Sequence, residues 1–188
     1  MAHEETIYGL MESLVIADKH VIGDLMGHKG IWTKGVSTVN NSYKALNLLV
    51  DAGKLAKGDG YFKLPDCQSQ YAEHAQLLTK ALAEILRLNL DAKIFREITL
   101  GEIGLRPDAL VLLSRDGQAL CFVLEVCNNE SPEYLTQKVN SWSQWAESRE
   151  TLSKLFKTQV KAFDIVVFGD IQAEGTFEFN SYIKEVQK

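Results

Sequence analysis

Cysteine and proline are scarce in this chain, with three of each in 188 residues. Cys67, Cys121 and Cys127 form an odd set without a CxxC spacing, which argues against a disulfide framework and against a zinc site and suits a reducing cytoplasm. The shortage of proline and the absence of any low-complexity tract exclude a disordered, tail-like protein. No apolar run reaches the roughly 18 residues a membrane span needs. The opening MAHEETIYGL has no basic stretch leading into an apolar one, so no secretory signal is expected and a cytoplasmic location is. His3, His20, His28 and His74 show no ligand spacing, and Gly101-Glu102-Ile103-Gly104 lacks the GxxxxGK[ST] pattern of a phosphate loop. Residues 1–65 contain no arginine at all.

What is present is a globular composition, 46% hydrophobic and 24% charged, at a length that suits one ordinary domain or two small ones. The net charge of −5 argues against nucleic acid only until it is divided. Residues 28–65 hold six lysines (29, 34, 44, 54, 57 and 63) against Asp51 and Asp59, a local balance of +4. Residues 66–188 hold 13 basic and 18 acidic side chains, a balance of −5. A phosphate backbone responds to local charge, so the basic segment is the one to examine for DNA binding.

The break Leu64-Pro65-Asp66-Cys67-Gln68-Ser69 divides the chain into expected domains 1–65 and 66–188. Before it, apolar spacing predicts helices over Glu4–Ala17 and His20–Gly27, then a loop with a short strand at Ile31-Trp32. A third helix, capped by Ser37 or Thr38, runs to Ala52 with Val39, Tyr43, Leu46, Leu49 and Val50 facing inward. Lys54–Leu64 reads as a hairpin around Gly-Asp-Gly. After the break come a long helix over Tyr71–Leu90 and strands at Ala92–Thr99, Ala109–Ser114 and Ala119–Val126, the last two joined by a turn at Arg115–Gln118. Helices follow over Pro132–Arg149 and Thr151–Lys157, then a buried strand at Ala162–Gly169 and an amphipathic end, Thr176–Lys188, helical in its last turns.

Three helices and a tight hairpin within about 60 residues make the winged helix-turn-helix layout, whose third helix enters the major groove while the hairpin touches the backbone. The third helix offers Thr38, Asn40, Asn41, Lys44 and Asn47 as an exposed polar face, and the hairpin offers Lys54, Lys57, Tyr61 and Lys63. Asparagine reads adenine in a bidentate way, and lysine reaches guanine or phosphate. The other reading of this face is a solvated surface of a protein-interaction module.

In the second domain two carboxylates sit at strand ends. Asp108 precedes the apolar strand that begins at Ala109, and Glu125 lies inside the apolar run Leu124-Glu125-Val126-Cys127. A carboxylate buried in such a run needs a partner or a metal, and two on paired strands suit Mg²⁺. Their simplest alternatives are a strand-entry cap or an ion pair with Arg96 or Arg106 for Asp108, and a salt bridge for Glu125.

The element Arg106-Pro107-Asp108-Ala109-Leu110-Val111, followed 17 residues after Asp108 by Glu125, resembles the PD-(D/E)xK nuclease-like fold. Pro107-Asp108 matches the PD and Glu125 the D/E, but Cys127 stands where that motif has lysine. Lys138 in the following helix is the substitute the resemblance offers, and Glu84 matches an acidic residue of the preceding helix. The GYFKL ending of the hairpin, the long helix, RPDALVLL, FVLEV, the polar stretch Asn128-Asn129-Glu130-Ser131 and the Lys138–Trp142 helix together resemble the plasmid replication-relaxation family over about residues 5–150. That resemblance implies a plasmid, phage or mobile-element protein acting in replication, mobilisation or transcription control.

The expectation is therefore an α+β / α/β chain in which a winged helix binds double-stranded DNA and a catalytically degenerate nuclease-like domain dimerises or adds a second contact. No cofactor is expected. The alternative is a Mg²⁺-dependent nuclease or nicking enzyme using Asp108, Glu125 and Lys138; a second alternative is a protein-interaction adaptor. Trp142 and Trp145 are read as core or interface, and a homodimer is expected.

Overall fold

The structure is a computed structural model of the chain, and it describes residues 2–32, 36–67, 72–88, 92–96, 98–99, 106–115, 118–127, 130–146 and 149–186. Lys34, the middle of the Arg115–Gln118 turn, Gly101–Gly104 and Asn128-Asn129 lie outside the described residues, as do the side chains of Ser37 and Trp145. The described residues form a mixed α and β fold of seven helices and two sheets. They fall into two compact units, Met1–Leu90 and Asp91–Lys188.

In the first unit, α1 (Ala2–Leu14) buries Ile7, Leu10, Met11 and Leu14, the i, i+3, i+4, i+7 stripe of an amphipathic helix. It stops three residues before the expected end. Val15 takes a φ of 68°, its N–H donates to the Met11 carbonyl and its own carbonyl accepts from Leu64 N–H. Ile16–Ala17 is thereby released as β1, which pairs with Phe62–Lys63 (β3); β3 in turn pairs with Ala56–Lys57 (β2), giving the sheet order β1-β3-β2. The strand expected at Ile31-Trp32 does not form, because both backbone N–H groups fold back onto the Met26 carbonyl beyond Gly30, whose φ is +68°.

Helix α2 (Lys19–His28) is capped by the Asp18 carboxylate, which accepts from the N–H groups of His20 and Val21. It meets α3 (Val36–Asp51) at Gly23, where a Cβ would lie 3.1 Å from Ser42 Oγ. That close approach sets the rotation of α3. The small Thr38 and Ser42 turn inward with Ala45, Leu46 and Leu49, while Tyr43 is 41% exposed. The expected inward stripe through Val39, Tyr43 and Val50 is therefore corrected by about one residue, and Thr38 leaves the exposed face.

Helix α4 (Ala72–Leu88) buries Ala75, Leu78, Leu82 and Ile85 and packs on α1, α2 and β1. It belongs with the elements before it, so the first unit runs through residue 90 and not to the proline break at 65. The buried Thr79 hydroxyl donates to the carbonyls of Ile16 at 2.6 Å and Leu14 at 3.1 Å, which pins the turn at Val15. Glu84 pairs with Arg87 on the same helix, and Arg87 also holds Asp24 of α2 at 2.5 Å.

The second unit is one sheet in the order β4-β5-β6-β7-β8, from Lys93–Arg96, Ala109–Arg115, Gln118–Val126, Val160–Phe168 and Phe177–Glu178. The first three strands are antiparallel; β6–β7 and β7–β8 are parallel. The β6–β7 crossover carries α5 (Pro132–Ala146) and α6 (Arg149–Phe156), whose Leu135, Val139, Trp142 and Leu152 pack on Cys121, Val123, Ile165 and Val167. Alternate strand residues point the other way, and α7 (Phe179–Val186) covers them through Phe122–Tyr182 and Phe168–Phe179 ring contacts.

Candidate functional site

Two places gather polar side chains, one in each unit. On α3, Asn40, Asn41 and Lys44 are exposed along one face. Tyr43 stands beside them with its ring edge-on to the buried Phe62 of β3, centroids 6.1 Å apart. Lys57 of β2 lies 5.1 Å from the Tyr43 ring centroid and donates to the Tyr43 hydroxyl at 3.1 Å. Lys19, the first residue of α2, lies over the same ring at 5.4 Å. Asn47 donates its amide to the Tyr43 carbonyl at 2.6 Å, with its own Oδ1 3.5 Å from Lys57 Nζ. The Lys57 hydrogen bond and charge, joined by Asn47 and Lys19, hold the Tyr43 phenol below its usual range.

The remaining hairpin candidates are arranged differently. Lys54 is exposed and lies 5.3 Å over the Tyr8 ring of α1. Lys63 turns toward its own chain, donating to the Cys67 carbonyl at 2.6 Å. Tyr61 is half-buried, its ring folded onto Gly58, where a Cβ would come within 2.1 Å of it. Thr38 is buried at the α2–α3 crossing. The exposed polar side chains of this face are thus Asn40, Asn41, Tyr43, Lys44 and Lys57, with Lys54 apart from them over Tyr8 and the half-buried Asn47 and Lys19 beside Tyr43.

In the second unit the hairpin register does the positioning. Ala109 pairs with Leu124, so Asp108 comes abreast of Glu125. Asp108 Oδ2 accepts the N–H of Val126 at 2.7 Å. Glu125 is 0% exposed, and both of its oxygens are taken: Oε2 by Lys138 Nζ at 2.7 Å, Oε1 by the Trp142 indole N–H at 2.6 Å. Lys138 and Trp142 are four residues apart on α5, which puts them on one helix face over the sheet. Burial pushes the Glu125 carboxyl up, with Lys138 pulling against it. Burial works against the Lys138 ammonium, but the carboxylates of Glu125, Asp108 and Glu130 outweigh it and keep the group protonated.

Each Glu125 oxygen thus accepts from a donor of the chain itself, a cation on one and an indole N–H on the other. Among the described residues no group of three or more His, Cys, Asp or Glu side chains stands together as a candidate metal site. Cys127, at the position of the motif's lysine, is a buried small side chain whose thiol is pushed up to about 12, by burial first and then by the Glu130 carboxylate.

The chain is similar to the restriction endonuclease FokI. The two structures share 12% identity at a TM-score of 0.32, over 97% of this chain and 41% of that one. FokI bound to DNA gives 10% identity and a TM-score of 0.31, over 99% of this chain and 41% of that one. The chain thus spans well under half the length of the enzyme it matches. No family model matches the chain, and no curated protein matches it.

Sequence reasoning brought Asp108, Glu125 and Lys138 forward, and they do converge in one place. It missed Trp142 as a polar partner, having read the ring as core or interface; the ring is indeed buried, at 1% exposure, but its N–H is aimed at Glu125. It also missed Tyr43, assigned to the core, and Lys19, which precedes the segment of dense lysine. The spacing Lys138–Trp142 behind an isolated buried acid was the available signal for the first.

Proposed function

We propose that this chain is a DNA-binding regulator or accessory factor of a plasmid, phage or other mobile element. In this reading the first unit is a winged helix-turn-helix whose α3 enters the major groove of duplex DNA, with β2–β3 as the wing on the backbone. The supporting observation is the exposed Asn40, Asn41 and Lys44 face of α3, with Lys57 of the wing brought beside it. Asparagine at two adjacent exposed positions suits adenine, and the lysines supply the sequence-independent term. The second unit is a nuclease-like αβ domain that has kept its carboxylates as a structural ion pair and serves dimerisation or a second DNA contact.

The test is fluorescence anisotropy with duplex DNA drawn from the region flanking the protein's own gene. Lys44→Ala should weaken binding and lower the salt slope by about one unit. Asn40→Ala should lose discrimination between sites, about 1–3 kcal/mol per lost bidentate contact, with the slope kept. Full binding by both variants sinks the reading and leaves the adaptor role.

The nuclease reading is favoured by one observation, the alignment of Asp108 with Glu125 and Lys138. It requires the Asp108 and Glu125 carboxylates to admit a divalent ion beside Lys138. Divalent-metal-dependent cleavage of plasmid DNA that disappears in both Asp108→Ala and Glu125→Ala establishes it; the expected result is no cleavage.

A further inference from the structure

Tyr43 is the point at which three elements meet. Lys19 comes from the start of α2, Lys57 from β2, and Asn47 from the next turn of α3. The ring itself is braced on Phe62 of β3. Two ammonium groups therefore share one aromatic ring, and among the described residues neither has a carboxylate within ion-pair distance. Of the nearest acids in sequence, Asp18 beside Lys19 is turned into its own helix, accepting from the N–H groups of His20 and Val21, and Asp59, two residues past Lys57, is exposed on the hairpin turn. Two ammoniums beside one ring repel, a cation over a ring gains only about 0.5–1 kcal/mol at an exposed site, and an anion shared by the two offsets the repulsion.

Hydrogen-bond directions point the same way. Lys57 donates to the Tyr43 oxygen, so the hydroxyl's own proton is left to donate outward. Asn47 uses its amide on the Tyr43 carbonyl, which directs Oδ1 toward Lys57 and holds that side chain over the ring. Tyr43 is three residues from Asn40 and one from Lys44, so whatever lies along the polar face of α3 passes over this cluster.

We infer that Tyr43, Lys19 and Lys57 form a seat for a single backbone phosphate of duplex DNA, the phenol and both ammoniums donating to its oxygens. The assignment rests on the DNA-binding reading above. It makes Tyr43 a phosphate-contacting residue that fixes the angle at which α3 enters the groove, because α2, α3 and the wing are tied to the one phosphate together. It assigns the wing's contribution to Lys57, in preference to Lys63 and Tyr61, which are turned toward the protein.

The experiment is anisotropy titration of the full chain against a random-sequence duplex of about 30 base pairs over a series of salt concentrations, since a phosphate contact needs no target sequence. Lys19→Ala and Lys57→Ala should each weaken binding, and the double variant should lower the slope of log K against log salt by about 0.9, the share of the one phosphate the two lysines hold together. Tyr43→Phe keeps the ring on Phe62, and so the fold, but lacks the hydroxyl. It should bind about tenfold more weakly at an unchanged slope, as the loss of one hydrogen bond to a charged group implies. Unaltered melting temperatures for the three variants verify that folding is intact. If the wild type binds duplex and Lys44→Ala weakens it while Lys19→Ala, Lys57→Ala and Tyr43→Phe do not, the seat is overturned and the DNA-binding reading stands. If the three variants lose affinity equally for single-stranded oligonucleotide, the placement on duplex backbone is overturned. A wild type that binds no duplex removes both.

Discussion

Glu125 is the residue at which the second unit concentrates its polar chemistry, and its surroundings account for its state. A fully buried carboxylate is costly unless its charge is matched and both oxygens are hydrogen-bonded. Lys138 supplies the charge and Trp142 the second donor. Glu125→Ala leaves the Lys138 ammonium without its partner and the indole N–H without an acceptor, and should cost about 3–5 kcal/mol by urea unfolding. Lys138→Met is the more informative change. It removes the group that lowers the Glu125 carboxyl and leaves burial and Asp108, both of which raise it. A carboxyl raised in the folded state favours folding while protonated. The variant's stability should therefore be highest near the ordinary glutamate range and fall as pH rises through the raised value, so it melts higher at about pH 5 than at about pH 8. A variant with no such pH dependence would show that Lys138 is not what holds Glu125 ionised. The sequence made this much legible: an acid inside an apolar strand needs a partner, and Lys138 was available. It did not make Trp142 legible as the second partner, because the rotation of α5 about its own axis is set by packing on the sheet and not by the helix's own pattern.

At the scale of elements, sequence and structure part most where a backbone group found a partner far along the chain. Helix α1 ends at Leu14 because Leu64 N–H donates to the Val15 carbonyl and the Thr79 hydroxyl donates to those of Leu14 and Ile16, from donors 49, 65 and 63 residues further on. No local pattern announces that, so Ile16–Ala17 read as helix, and α4 read as part of the second domain although it completes the first. Thr79→Val keeps the shape and removes the hydroxyl; with the buried Leu14 and Ile16 carbonyls losing a donor it should cost about 1–3 kcal/mol in chemical denaturation. The rotation of α3 has a similar origin in the bare backbone of Gly23 against Ser42, which the apolar count alone placed one residue away. The start of α7 shows a local rule at work. Glu178 accepts from the N–H groups of Asn180 and Ser181, and these bonds hold its carboxyl down at about 2. Glu178→Ala should lose about 1 kcal/mol of stability at neutral pH, as other helix caps do. Because the folded value is depressed, that contribution is full above the ordinary glutamate range and is lost as pH falls through about 2, so wild type and variant should converge in acid. Divergence that persists in acid would assign the effect to packing.

For the whole molecule, charge and affinity bear on assembly more than shape does. The chain carries −5 overall, yet residues 28–65 carry +4, so in the proposed reading the first unit approaches DNA with the rest of the protein repelled by it. One such module makes few contacts, and specific binding at physiological salt generally takes two, joined so that the second engages at high effective concentration. The proposed homodimer rests on that argument and not on Trp142, which is committed to Glu125 inside its own unit and is buried there. Among the described residues of the second unit, Tyr134 and Phe177 are the large apolar side chains left 50% and 44% exposed, and they are the ones to watch. Light scattering at micromolar concentration should give twice the 21.1 kDa of one chain, and duplex should bind with two chains per site. Tyr134→Ser or Phe177→Ser should weaken self-association, and with it DNA affinity, while leaving the salt slope per chain unchanged, because neither change touches a phosphate contact. A mass of 21.1 kDa both alone and per bound duplex would show that a single chain holds DNA by itself, and would move the second contact from a partner copy to this chain's own second unit.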